Sequence, residues 1–143
     1  MFILMIGALI VFCILLFICY SYMQNQRSKY VTQMYKEFKK QYGQCAKVSM
    51  GFSQRNAFTK AITLLLAVNE EDDRVIDAWE ITDKDMEIEG RTCEEYIGID
   101  IKKYTDQDRK KSEQDLLMRN PTEIKTAKEK AFLMAVEQIL NQE

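Results

Sequence analysis

The hydrophobic pattern changes period three times along the chain: an uninterrupted apolar run, a helical spacing, a strand-like alternation, and a helical spacing again. Residues 2–20 form the apolar run. None is charged, and thirteen of the nineteen are Ile, Leu, Phe or Val. As an α-helix this run would be roughly 28 Å long at about 1.5 Å per residue, close to the ~30 Å of a bilayer's hydrocarbon core. Summed insertion preferences give an upper bound of about 4–8 kcal/mol. The pattern predicts a single transmembrane anchor over residues 1–21. A cleaved secretory signal is the competing expectation, but no basic side chain precedes the run and Phe17-Ile18-Cys19-Tyr20-Ser21 offers no small-x-small site. Leu16-Phe17-Ile18 before Cys19 likewise lacks the small residues of a lipoprotein box.

Residues 22–43 follow without Pro, and Val31, Met34, Tyr35, Phe38 and Tyr42 recur at helical spacing with lysines mostly between them. This predicts a juxtamembrane amphipathic helix that continues from the anchor, with Gly43 just past its end. From 44 to 104 the period falls to two. Ile62, Leu64, Leu66 and Val68 alternate with Thr63, Leu65 and Ala67, which reads as a strand buried on at least one face. Asn69-Glu70-Glu71-Asp72-Asp73 is a polar turn, and Val75, Trp79 and Ile81 alternate with Ile76, Ala78 and Glu80 as the returning strand. With a strand at Cys45–Met50 and one or two short ones between Glu87 and Ile101, a small antiparallel sheet of three to five strands is expected. Residues 105–120 are polar enough for a linker or a short helix. Residues 121–143 read as a C-terminal helix packed on the sheet. Asn120-Pro121-Thr122-Glu123 is its expected start, and Ile124, Phe132, Val136, Ile139 and Leu140 form its apolar face. The fold class is α+β, with one small domain behind the anchor.

Charge adds a direction to this layout. The net charge is only −2, but residues 27–60 carry eight basic side chains and one acid, and the remainder is acidic. Basic flanks stay cytoplasmic. The expected topology is a single-pass protein of the cell membrane, N-terminus outside and C-terminal domain in the cytoplasm. Arg27, Lys29, Lys36, Lys39 and Lys40 are the candidate contacts to the lipid bilayer, each favoured by about 1 kcal/mol near anionic headgroups. Cys13 and Cys19 fall in the anchor, leaving Cys45 and Cys93 as two distant thiols rather than a disulfide framework.

The search for chemistry returns little. The chain has no histidine, which excludes the commonest general base and every Ser-His or Cys-His arrangement. No phosphate-binding glycine loop occurs. The run Asp83-x-Asp85-x-Glu87 with Glu94 has the outline of a calcium loop, but Ile88 stands where that loop needs glycine. No cofactor, no metal and no enzymatic activity are expected. Direct nucleic-acid binding is not expected either, because the basic stretch adjoins the membrane and the distal part is acidic.

Three local elements carry a family likeness: the Ile62–Val68 strand, the segment Arg74-Val75-Ile76-Asp77-Ala78 after the turn, and Gly90-Arg91-Thr92. With the anchor in front, the chain resembles the glucitol (sorbitol) operon activator family over nearly its whole length. Two departures are visible: Cys93-Glu94-Glu95-Tyr96 replaces the family's hydrophobic-aromatic pair, and its glycine-rich stretch is reduced to Met50-Gly51-Phe52. The resemblance implies a membrane-anchored accessory regulator of sugar-alcohol phosphotransferase uptake. Its protein partner would be a transcription regulator or a sugar transporter component. The alternative is a generic membrane-anchored adaptor or envelope-assembly protein with a cytosolic interaction domain. Arg91, Thr92 and Tyr96, in the resembling element, are the candidate partner contacts, whereas Trp79 is expected in the core.

Overall fold

The computed structural model describes residues 1–54, 61–84, 87–118 and 125–142. The chain divides into two compact units, Met1–Met34 and Tyr35–Glu143. The first is helical throughout and belongs to α1 (Phe2–Tyr42), an unbroken helix that includes both the apolar run and the amphipathic stretch. Every side chain from residue 1 to 26 is exposed. The apolar part of α1 is long enough to cross a membrane, a test of length and composition that a signal sequence also passes. Lys39 and Lys40 lie in the last turn of α1, where cations complement the helix dipole.

The second unit is built on a four-stranded antiparallel meander in the order β1-β2-β3-β4: Ala46–Ser53, Ile62–Asn69, Val75–Lys84 and Glu87–Thr92. The α+β class, the strand count and the C-terminal helix on the sheet agree with the sequence reading. Central β2 is buried on both faces, since Leu64, Leu65, Leu66, Ala67 and Val68 are all fully enclosed. One face is covered by α3 (Ala127–Leu140), whose Ala131, Phe132, Ala135, Val136 and Ile139 pack with Leu64, Leu66 and Val68. The other face carries Leu65, Ala67 and Ile81, with Asp77 alongside. There the end of α1 docks: Phe38 is buried and stacks at a tilt on Tyr42, whose hydroxyl donates to Asp77 Oδ2 at 2.6 Å. That bond, followed by burial, raises the Tyr42 hydroxyl to about 12.

Four details differ from the pattern-based reading. Strict alternation along β3 fails because Ala67 pairs with Asp77 while Val68 pairs with Val75, which leaves Ile76 as an extra residue. This bulge turns Val75 onto the α3 side together with Ala78, away from Trp79 and Ile81. Trp79 is accordingly half-buried on the second face rather than enclosed in the α3-side core. The stretch expected as a linker or short helix is a helix, α2 (Ile101–Leu117), of seventeen residues that begins before residue 104. Asp100 caps it, accepting from the backbone N–H of Lys102 and Lys103 at 3.1 Å, so Ile101 is a buried first-turn residue and not the end of a strand. Gly98, at φ +86°, provides the left-handed turn that brings the chain to that cap. Lastly, α3 starts at Ala127 with a capping box in which Thr126 and Glu129 exchange hydrogen bonds. The Asn120–Glu123 start and Ile124 lie outside the described residues.

Candidate functional site

Polar chemistry gathers where β3, β4 and the first turn of α3 meet. Glu80 sits on β3 opposite Leu64 and Arg91, on the face that α3 covers, and is only 4% exposed. A carboxylate there needs partners. Its cationic partners are Arg91, whose guanidinium donates at 3.2–3.4 Å, and Lys128, whose Nζ lies 3.0 Å away. Lys128 also pairs with Glu95 and stands 5.8 Å above the Tyr96 ring. The Thr126–Glu129 capping box fixes the turn from which Lys128 projects. Glu95 and Tyr96 come from a single 3-10 turn, Glu94–Tyr96, that follows β4 directly.

Cys93 completes the group, with its Sγ 3.4 Å from Glu95 Oε1 and 3.9 Å from Glu80 Oε2. Burial pushes its thiol up to about 11, with Glu95 adding to the rise and Lys128 opposing it. A thiol held in that state is a poor nucleophile at neutral pH. Hydrogen bonding to Lys128 pulls the Glu95 carboxyl below its ordinary value. Burial alone would lower the Lys128 ammonium, but its bonds to Glu95 and Glu80 outweigh that and raise it. Cys93, Glu95 and Lys128 are thereby held as thiol, carboxylate and ammonium at neutral pH. The arrangement clamps β3, β4 and α3 together.

The structure treats the sequence-based candidates unequally. Arg91 is on β4, with 70% of its side chain accessible although it reaches Glu80. Thr92 is exposed at the end of β4. Tyr96 is buried: its ring stacks on Phe132 at 4.1 Å, and Tyr104 meets Phe132 edge-on at 4.9 Å. Tyr96 therefore braces the site from the core instead of facing a partner. Of the basic residues on α1, Lys29, Lys36, Lys39 and Lys40 are exposed, whereas Arg27 is buried. Sequence reasoning missed Glu80, Cys93 and Lys128. In the alternating pattern Glu80 looks like an ordinary solvent-facing strand residue, and nothing local links it to a lysine 48 positions on. Among the described residues no cluster of His, Cys, Asp or Glu is placed to hold a metal ion. No family model, no curated protein and no solved structure matches the chain.

Proposed function

We propose that this chain is a membrane-anchored protein-contact module, in which α1 retains the folded unit at the cytoplasmic membrane surface and the β4 region engages a protein partner. The supporting observation is an apolar helix with all of residues 1–26 exposed, joined to a small folded unit whose polar groups are locked in ion pairs. A bare run of Ile, Leu, Phe and Val is unfavourable in water and favourable in lipid. Exposed Lys29, Lys36, Lys39 and Lys40 then lie next to the headgroups, where positive charge is retained on the cytoplasmic side. Support for action by contact comes from a polar cluster whose charged members, Glu80, Arg91, Lys128 and Glu95, are engaged in ion pairs with one another.

The finer reading is an accessory regulator of sugar-alcohol phosphotransferase uptake, and its support is the resemblance of Ile62–Val68, Arg74–Ala78 and Gly90–Thr92 to the glucitol operon activator family. The decisive experiment combines location with contact. Intact mass of the membrane-fraction protein should include residues 2–20, and a reporter fused after Glu143 should be active only in the cytoplasm. Loss of the first twenty residues, or an exported reporter, overturns the anchor and its topology. In-cell crosslinking should recover a transcription regulator or transporter component with the native chain and less of it with Arg91→Ala. Equal recovery removes the β4 region from the contact.

A further inference from the structure

The two edges of the sheet differ in a way that identifies an occupant for one of them. The Cys93 N–H donates to the Ala78 carbonyl at 2.7 Å, and Cys93 opposite Ala78 continues the β3–β4 register. In an antiparallel pair such hydrogen-bonded rungs alternate with rungs whose backbone groups point away. Arg91, Glu89 and Glu87 therefore direct their N–H and C=O toward β3, and Ile88, Gly90 and Thr92 direct theirs outward. The same alternation carried across the sheet predicts outward N–H groups at Met50 and Phe52 on β1. Those two are found bonded to α3, at Gln138 Oε1 and Met134 Sδ. At Met50 and Phe52, edge β1 is thus closed by a helix. On the outer side of β4, no strand is paired among the described residues.

We propose that β4 pairs antiparallel with β4 of a second copy of this chain, about a two-fold axis at Gly90, to make one continuous sheet. Charge selects both the occupant and the register. Centred on Gly90, the segment Ile88-Glu89-Gly90-Arg91-Thr92 sets Glu89 against Arg91 of the other copy, twice, with no like-charged rung. A shift of centre to Glu89 or to Arg91 would face that residue with its own copy. The outward groups match as well: Gly90 meets Gly90, and Ile88 meets Thr92, so every rung that needs hydrogen bonds has both donors and acceptors. Arg91 is 70% accessible and can reach across while its other side holds Glu80. Two anchored copies also share a surface, which raises their effective concentration. This deepens the contact reading, since it takes β4 as the contact edge and names the first partner seated there.

The test is the mass of the full chain in detergent micelles, by sedimentation or light scattering, over a dilution series. A dimer is expected. Thr92→Pro removes one outward N–H per copy and leaves the β3 ladder untouched, because proline is tolerated on an edge strand where its nitrogen faces out. It should weaken the dimer about tenfold or more. Glu89→Arg should weaken it too by setting Arg against Arg91, and circular dichroism should show both variants folded. A monomeric native chain overturns the proposal, as does a dimer that survives both substitutions, which would place the contact in the anchor. A monomer that still recovers its partner through Arg91 overturns the pairing and leaves the contact reading intact.

Discussion

At β1 the sheet ends under α3, with Gly51 so close to the helix that a methyl group there would overlap the Ala131 carbonyl oxygen and lie 2.9 Å from the Ala135 nitrogen. At β4 it ends in charge, with Glu80, Arg91, Lys128 and Glu95 joined in a chain of ion pairs. Small residues let backbones approach, and the N–H groups of Met50 and Phe52 are then satisfied by helix side chains. Ion pairs hold elements together at longer range, and among the described residues no strand pairs with the outer side of β4. The contrast teaches where this domain resists change and where it can accept a partner. Gly51→Ala tests the closed side most severely. Its new Cβ meets backbone, which cannot rotate away, so α3 must lift from the sheet. The expected cost is about 3 kcal/mol or more, read as a lower midpoint in denaturant unfolding of the full chain in micelles. A near-native midpoint would mean that α3 rides higher on β1 than described.

Next in size is Glu80→Ala on the open side. It removes the only nearly buried carboxylate of the cluster and leaves Lys128 with Glu95 alone. Loss of one partner from an enclosed pair costs about 3–5 kcal/mol. Since Lys128 keeps 24% exposure and can rehydrate, about 2–3 kcal/mol is expected here. The same unfolding measurement checks it. A cost equal to that of Gly51→Ala would erase the distinction between the two sides.

These two positions also show how far the sequence could be read. Apolar density on Ile62–Val68 marks a strand buried on at least one face, and the acidic turn at 69–73 marks the hairpin, because both signals are local; that both faces are enclosed is known only once α3 and α1 are placed. The bulge at Ile76 was hidden: Val75 and Ile76 are both apolar, so a one-residue slip leaves no trace in the alternation. Ile101 looked like the end of a strand until Asp100 proved to be a helix cap, a role defined by backbone geometry. Gly51 was visible only as a weak glycine signal, since its reason is the helix that crosses it. Of the site, the sequence names Arg91, as a candidate partner contact and not as a cation beside Glu80. Glu80 and Lys128 were not legible, because their relation exists only after α3 folds back over the sheet.

A pH scan, run on the native chain and on Cys93→Ala, probes the charge cluster on the β4 side. The Cys93 thiol is raised from 9.0 to about 11, so between these values the unfolded chain has lost a proton that the folded chain keeps. The unfolded state then binds fewer protons, and stability falls as pH rises. Lys128 acts in the same direction: its contribution is complete below the ordinary lysine value of 10.5 and is lost as pH climbs through its raised folded value. Tyr42, on the second face, adds to the same trend between 10.0 and about 12. Glu95 acts oppositely, with its contribution present above 4.5 and lost as acid protonates it in the folded state. Thermal midpoints should hold at neutral pH and decline from about pH 9 upward, less steeply in Cys93→Ala. An unchanged slope in that variant would leave the alkaline loss to Lys128 and Tyr42.

The smallest effect is expected at Arg91, and it is the most informative about function. Its side chain is 70% accessible, and a solvent-exposed ion pair contributes about 0–1 kcal/mol. Glu80 retains Lys128 when Arg91 is removed, so no enclosed carboxylate is left alone. Arg91→Ala should therefore unfold within about 1 kcal/mol of the native chain while losing association at β4. The asymmetry is the reverse of Glu80→Ala, in which the fold fails first. If Arg91→Ala proves as destabilising as Glu80→Ala, the guanidinium is part of the clamp, and the open edge must be sought in the outward backbone groups of Ile88, Gly90 and Thr92 alone.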